Sequence, residues 1–192
     1  MRNRRYHPVA LLLALALLLP AASLAEGTAL PFGLQMGMSP QQVTAALEAD
    51  ATLGSLTPDT EDYGNGAVEY RYGGVTIPGT DLTADSLSVQ VDRNNSLKAD
   101  RLTEVGFVLS SPEHGIAAFR QVLAAMTATL GAPDADPFGE EAVSAYVEWG
   151  TLDASWTTAD ARVSLSLNRM YEENLTVQYS SRLNYDPADL AE

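Results

Sequence analysis

The chain has 192 residues, 25 of them acidic against 11 basic, a formal net charge of −14 and no cysteine. With one lysine, Lys98, it has no basic patch to neutralise phosphates, which excludes nucleic acid and anionic lipid as expected partners. Without cysteine it must draw its stability from the core, and it cannot carry a lipobox-type anchor.

At the N-terminus, Arg2, Arg4 and Arg5 precede an unbroken apolar run from Val9 to Leu19, followed by Pro20 and the small-residue site Ser23-Leu24-Ala25. This is the pattern of a secretory signal peptide, and its apolar run falls short of the ~20 residues that span a bilayer. Cleavage before Glu26 is expected. It would leave eight basic residues against twenty-five acidic ones, a charge of about −17, on a chain secreted to an extracellular or periplasmic space without a membrane anchor. Residues 26–31 read as a loose leader.

The stretch from Phe32 to Val43 reads as a short strand, a glycine turn and a helix start. Ser39 is the expected cap, Pro40 sits where a missing N–H is harmless, Gln42 completes a capping box, and Met38 and Val43 form a hydrophobic staple. Val43, Ala46 and Leu47 give the helix a narrow apolar face, and Gly54 is the expected stop. Three alternating segments follow, carrying Val68, Tyr70 and Tyr72, then Leu87, Val89 and Val91, then Val105, Phe107 and Leu109. A period of two with one apolar face predicts half-buried antiparallel strands, with turns at Gly73-Gly74 and Asn94-Asn95.

A second helix is predicted from Ser111-Pro112 to Gly131, with an apolar stripe of Ile116, Phe119, Leu123, Met126 and Leu130. The last third reads as strands again: Val143, Ala145, Val147 and Trp149 on one face, continued by Ala154 and Trp156, then Val163, Leu165 and Leu167, then Leu175, Val177 and Tyr179. The end of the chain, from Asp186, reads as frayed.

Landmarks recur in the same order in the two halves. Ser39-Pro40 and Ser111-Pro112 open helices, Ala51-Thr52-Leu53-Gly54 and Ala128-Thr129-Leu130-Gly131 close them, and Ala67-Val68 and Ala142-Val143 open strands. Thr83-Ala84-Asp85 and Thr158-Ala159-Asp160 precede an alternating strand, and Leu102-Thr103 and Leu175-Thr176 begin the last one. The expected fold is therefore α+β: tandem units of a helix packed on antiparallel sheet, spanning 26–110 and 111–192, joined in one continuous sheet or forming two.

Gln35-Met36-Gly37-Met38-Ser39-Pro40-Gln41-Gln42-Val43 resembles the Gly-Met-Ser/Thr-x-x-Gln-Val helix start of the β-lactamase inhibitor protein family, and of the small lipoprotein of the outer-membrane barrel-assembly machine. The resemblance implies tandem helix-on-sheet units and a secreted binding protein that grips a protein partner with a concave sheet surface. The second unit lacks Gly-Met before Ser111-Pro112, and the chain lacks the disulfides of the inhibitors.

Chemistry has few carriers. His114 is the single histidine beyond the signal peptide and falls in the first turn of a helix, with no nucleophile motif around it. Glu69, Glu104 and Glu148 fall by parity on the polar side of strands, where a facing pair has the makings of an acid and base for glycoside hydrolysis. Asp134, Asp136, Glu140 and Glu141, or Asp92 with Asn94 and Asn95, offer oxygen ligands for calcium without any calcium-loop motif. No cofactor is expected.

What remains is the polar strand face. Glu69, Arg71, Gln90, Glu104, Tyr146, Glu148, Arg162, Ser164, Ser166 and Gln178 are the candidate partner-binding residues, with Tyr63, Phe138 and Tyr171 beside turns as aromatic anchors. The expected function is non-enzymatic recognition of a protein. A cell-envelope assembly factor and a carboxylate hydrolase are the alternatives, and a merely solvated sheet face is the plain structural reading of the same residues.

Overall fold

The computed structural model describes residues 27–64, 67–93, 97–110, 115–170 and 173–182. The expected signal peptide, Asn94-Asn95 turn, Ser111-Pro112 cap and frayed tail from Asp186, with His114 and Tyr171, lie outside the described residues.

The fold is α+β. Helix α1 (Pro40–Ala49) comes first, followed by strands β1 (Asp59–Asp62), β2 (Val68–Tyr72), β3 (Val75–Thr76), β4 (Thr83–Ala84), β5 (Ser86–Asp92) and β6 (Arg101–Ser110). Helices α2 (Gly115–Leu130) and α3 (Glu140–Trp149) then lead into β7 (Thr151–Thr157), β8 (Ala161–Asn168) and β9 (Asn174–Ser181). Seven strands form one continuous antiparallel sheet in the order β1-β2-β5-β6-β9-β8-β7, and β3 and β4 pair separately. Two three-stranded meanders, β2-β5-β6 and β7-β8-β9, thus meet at their last strands, with Phe107 opposite Val177.

Why these residues fold this way is local chemistry first. Ser39 caps α1: its hydroxyl accepts from the Gln42 N–H, and the Gln42 side chain accepts from the Ser39 N–H at 2.9 Å, the full capping box. The helix ends at Ala49, earlier than Gly54, and Asp50 Oδ1 accepts the N–H groups of Thr52 and Leu53. Gly54 is not left-handed; its place is set by space, since a Cβ there would collide with the Glu48 carbonyl. The stretch before the helix is a 3-10 turn rather than a strand, with Phe32 and Gly33 at positive φ, and the backbone of Gly37 and Met38 bonds to Leu102 in β6.

The strands alternate as expected in β2, β5, β8 and β9, and in β6 beyond one bulge. Gln90 faces Glu104 while Val91 faces Leu102, so Thr103 is the extra residue, buried with its hydroxyl on the Gln90 carbonyl at 3.4 Å. Leu87, Val89, Val105, Phe107, Val163, Leu165, Leu175 and Val177 line the inner face. Val43 and Leu47 from α1, and Phe119, Val122 and Met126 from α2, close on them, each large side chain contributing about 1.5–3 kcal/mol. The α2 stripe is rotated from the expected one: Gly115, Ala118 and Val122 are buried and Ile116 is exposed.

Two expectations are corrected. Residues 142–149 form helix α3, not a strand, so Ala142-Val143 does not open a strand. The residues that meet the protein there are Ala142, Ala145 and Tyr146, at helical spacing, while Val143, Val147 and Trp149 are exposed. Glu140 and Glu141 in the first turn favour the positive helix end, and Gly150 supplies the left-handed stop. The leader is also not loose. Thr28 and Leu30 are buried, the Thr28 N–H donates to Asp160 Oδ1 at 2.9 Å, and its hydroxyl contacts Thr158 and Asp160.

Candidate binding face

The outer side of the sheet is a grid whose rows follow from strand register. One row runs Glu69, Gln90, Glu104, Ser180, Arg162, Thr157 across β2, β5, β6, β9, β8 and β7. The next runs Arg71, Ser88, Gly106, Gln178, Ser164, Ser155, and a third runs Ser86, Val108, Thr176, Ser166, Asp153. The structure therefore brings eight of the expected residues together on one face: Glu69, Arg71, Gln90, Glu104, Arg162, Ser164, Ser166 and Gln178. The described helices pack on the other side, where the core lies.

Tyr146 and Glu148 do not belong to this face. Both sit on α3, where the Tyr146 ring lies under the Arg169 guanidinium at 4.4 Å, and Arg169 Nη2 donates to the Tyr146 carbonyl at 3.2 Å. The strand reading failed because residues two apart in an amphipathic helix can mimic alternation for four positions. Phe138 is likewise no free anchor: its ring meets Phe119 edge-on at 6.0 Å and Arg120 stacks on it at 4.5 Å.

Tyr63 does reach the face. Its hydroxyl donates to Glu69 Oε2 at 2.6 Å, stands 3.2 Å from Glu61 Oε2, and accepts from Arg71 Nη2 at 2.8 Å. Arg71 also bridges Glu69 at 2.7 Å and Glu61 at 2.9 Å. Burial alone would raise the Glu69 carboxyl, but the hydrogen bonds from Arg71 and Tyr63 outweigh it and hold it below its ordinary range. The same bond to Glu69 pushes the Tyr63 phenol up to about 12. Glu69 is thus an ionised hydrogen-bond acceptor at neutral pH. It stands two strands, roughly 10 Å, from Glu104.

Among the described residues, no three His, Asp or Glu side chains converge to hold a metal ion. Two of the carboxylates weighed for calcium have other work. Asp134 binds the Thr157 N–H at 3.3 Å and the Thr157 hydroxyl at 3.0 Å, and Asp136 accepts from the Phe138 N–H at 2.9 Å.

Hydropathy missed one strand of the sheet. Residues Asp59, Thr60, Glu61 and Asp62 form β1, exposed throughout, and carry no apolar side chain to betray the alternation. Their pairing with Arg71, Tyr70, Glu69 and Val68 places Asp59 and Glu61 on the polar face. Comparison of the chain with protein-family models, with curated proteins and with solved structures gave no match.

Proposed function

We propose that this is an exported, non-enzymatic binding protein that recognises a protein partner through the polar face of its sheet. One observation carries the reading: the middle of that face is low, with Ser88 and Gly106 on one side of Gln178 and Ser164 and Ser155 on the other, beside a second short row of Ser86, Val108, Thr176 and Ser166, while Glu69, Gln90, Glu104 and Arg162 stand along one margin. Gly106 is the most telling. It sits mid-strand outside the left-handed region, where glycine is about 0.5–1 kcal/mol worse than alanine, so no turn demands it. A Cβ there would stand 3.1 Å from Ser88 Oγ, so the glycine makes room for that hydroxyl and keeps the face low for close approach by another molecule.

The resemblance of the Gly37-Met38-Ser39 helix start to the inhibitor family supports the same reading. So does the symmetry of the register. Val68-Glu69-Tyr70-Arg71-Tyr72 and Leu152-Asp153-Ala154-Ser155-Trp156 occupy matching places in the two meanders, as do Leu87-Ser88-Val89 and Val163-Ser164-Leu165, in keeping with two tandem units. The signal-peptide pattern supports export.

The test is affinity capture from the secreted and envelope fractions of the native host, with three baits. The parent should retain a partner, Ser164→Arg/Gln178→Arg on the face should lose it, and Glu148→Arg on α3 should keep it. Loss with the α3 variant alone would overturn the face. A soluble partner fits the binding-protein reading, an envelope complex the assembly-factor one. Turnover abolished by alanine at Glu69 and Glu104 would make the protein a hydrolase.

A further inference from the structure

The two ends of the sheet differ in what they do with their unpaired backbone. At the β7 end, the Asp134 N–H donates to the Ser155 carbonyl at 2.7 Å, its carboxylate takes the Thr157 N–H, and the Trp156 indole donates to the Gly131 carbonyl at 2.9 Å. That edge is covered at Ser155 and Thr157. At the β1 end, none of the described elements pairs with the outer side of the strand.

Register fixes which groups are open there. Tyr63 N–H donates to the directly opposite Ala67 carbonyl, so Tyr63, Glu61 and Asp59 direct their backbone toward β2. Thr60 and Asp62 therefore direct N–H and C=O outward. Around them the side chains are acidic on both sides of the strand, with Asp59 and Glu61 on the polar face and Asp62 on the other. The neighbouring cation, Arg71, is already held by Glu61 and Glu69.

Beside Asp62 lies a cleft of about 250 Å³. Pro40, Val68, Tyr70 and Val91 give it apolar walls; the Asp100 carboxylate there is held by Arg93 at 2.8 and 2.9 Å, and Asp62, whose Oδ1 takes the Gly64 N–H at 2.8 Å, offers its second oxygen. Apolar walls with acid groups match a lysine or arginine side chain, whose aliphatic stem buries while its head stays charged.

We propose that the β1 edge takes up an extended, lysine- or arginine-bearing segment of a partner protein as an eighth strand, seating one basic side chain in the cleft beside Asp62. A second copy of this chain does not fit: β1 against β1 would set three carboxylates against three, and like charges across a strand pair repel. Acidic residues guard an edge against its own copies, and the same residues attract a cationic strand. The backbone ladder would supply affinity, and the cleft and charges specificity. This edge adjoins the polar face and shares Asp59 and Glu61 with it, but the outward backbone of Thr60 belongs to the edge alone, so either reading can fail alone.

The probe is a short capped peptide alternating lysine and valine, titrated into the purified protein by calorimetry. Binding should weaken roughly tenfold or more as salt rises through the range where surface charge is screened. Thr60→Pro, which removes an outward N–H and leaves the β2 ladder intact, should weaken binding at least about tenfold. Asp62→Asn should weaken it less, and Val147→Ser on α3 should leave it unchanged. If Thr60→Pro does not fold, the same peptide N-methylated on alternate residues must lose binding instead. Equal binding of a glutamate-valine peptide, or full binding by Thr60→Pro, would overturn the proposal, as would a concentration-dependent dimer of the parent that Thr60→Pro dissolves.

Discussion

Strands β1 and β7 end the same sheet, yet they are made of opposite materials. β7 turns Leu152, Ala154 and Trp156 into the core and has its outer edge covered at Ser155 and Thr157 by Asp134, while β1 turns nothing apolar inward and is exposed from Asp59 to Asp62. The difference teaches that membership of a sheet and contribution to its stability are separate properties. β7 holds the fold together. β1 is attached by its ladder and by the Arg71 bridge, and its chemistry faces outward.

The sharpest way to break this comparison is to delete the anchor of the covered end. Trp156→Ala removes a buried ring and the indole bond to Gly131, and should destabilise the protein by about 3–5 kcal/mol in a denaturant titration. A loss below ~1 kcal/mol would mean that β7 is as peripheral as β1. Next in size is Asp134→Ala. It frees the Thr157 N–H and the Ser155 and Thr157 hydroxyls while the backbone N–H at 134 still holds the Ser155 carbonyl, and should remove about 1–2 kcal/mol and promote self-association visible by sedimentation.

The open end responds to pH. Because Glu69 is held below its ordinary 4.5, its contribution is fully present above that value and is lost as pH falls through the lowered one. A carboxyl NMR titration should show this, and Tyr63→Phe, which deletes one of the two hydrogen bonds, should bring the Glu69 midpoint back up. The Tyr63 phenol runs the other way. Its bond to Glu69 is intact below the ordinary value of 10 and fails as pH rises toward about 12, so its ultraviolet titration should lie late. Smallest of all is Thr60→Pro, which should change stability by no more than ~0.5 kcal/mol, as an exposed edge position allows.

Much of the fold was legible because local rules and tertiary structure agree. Ser39, Pro40 and Gln42 announce α1, and the alternation in β2, β5, β8 and β9 assigns the two faces of the sheet correctly, which is why eight candidate residues fall on one surface. Where the reading failed, two signals competed. Val143, Ala145, Val147 and Trp149 alternate like a strand, but Glu140-Glu141 before them and Gly150 after them are helix punctuation, and the punctuation describes the backbone. The α2 stripe shifted because Ala118 and Val122 are small enough to approach the sheet, leaving Ile116 outside. β1 was illegible for a different reason. An edge strand with no buried side chain has no hydropathy signature, and only its partner Val68–Tyr72 defines it.

Amide hydrogen exchange at Thr60 and Asp62 tests most directly that β1 is an open strand able to accept a basic neighbour. In the free protein both amides should exchange fast while the Thr157 amide, held by Asp134, is protected. Saturation with the lysine-valine peptide should slow Thr60 and Asp62 alone among these. Protection of Thr60 and Asp62 in the free protein, or exchange there that the peptide leaves unchanged, would contradict it.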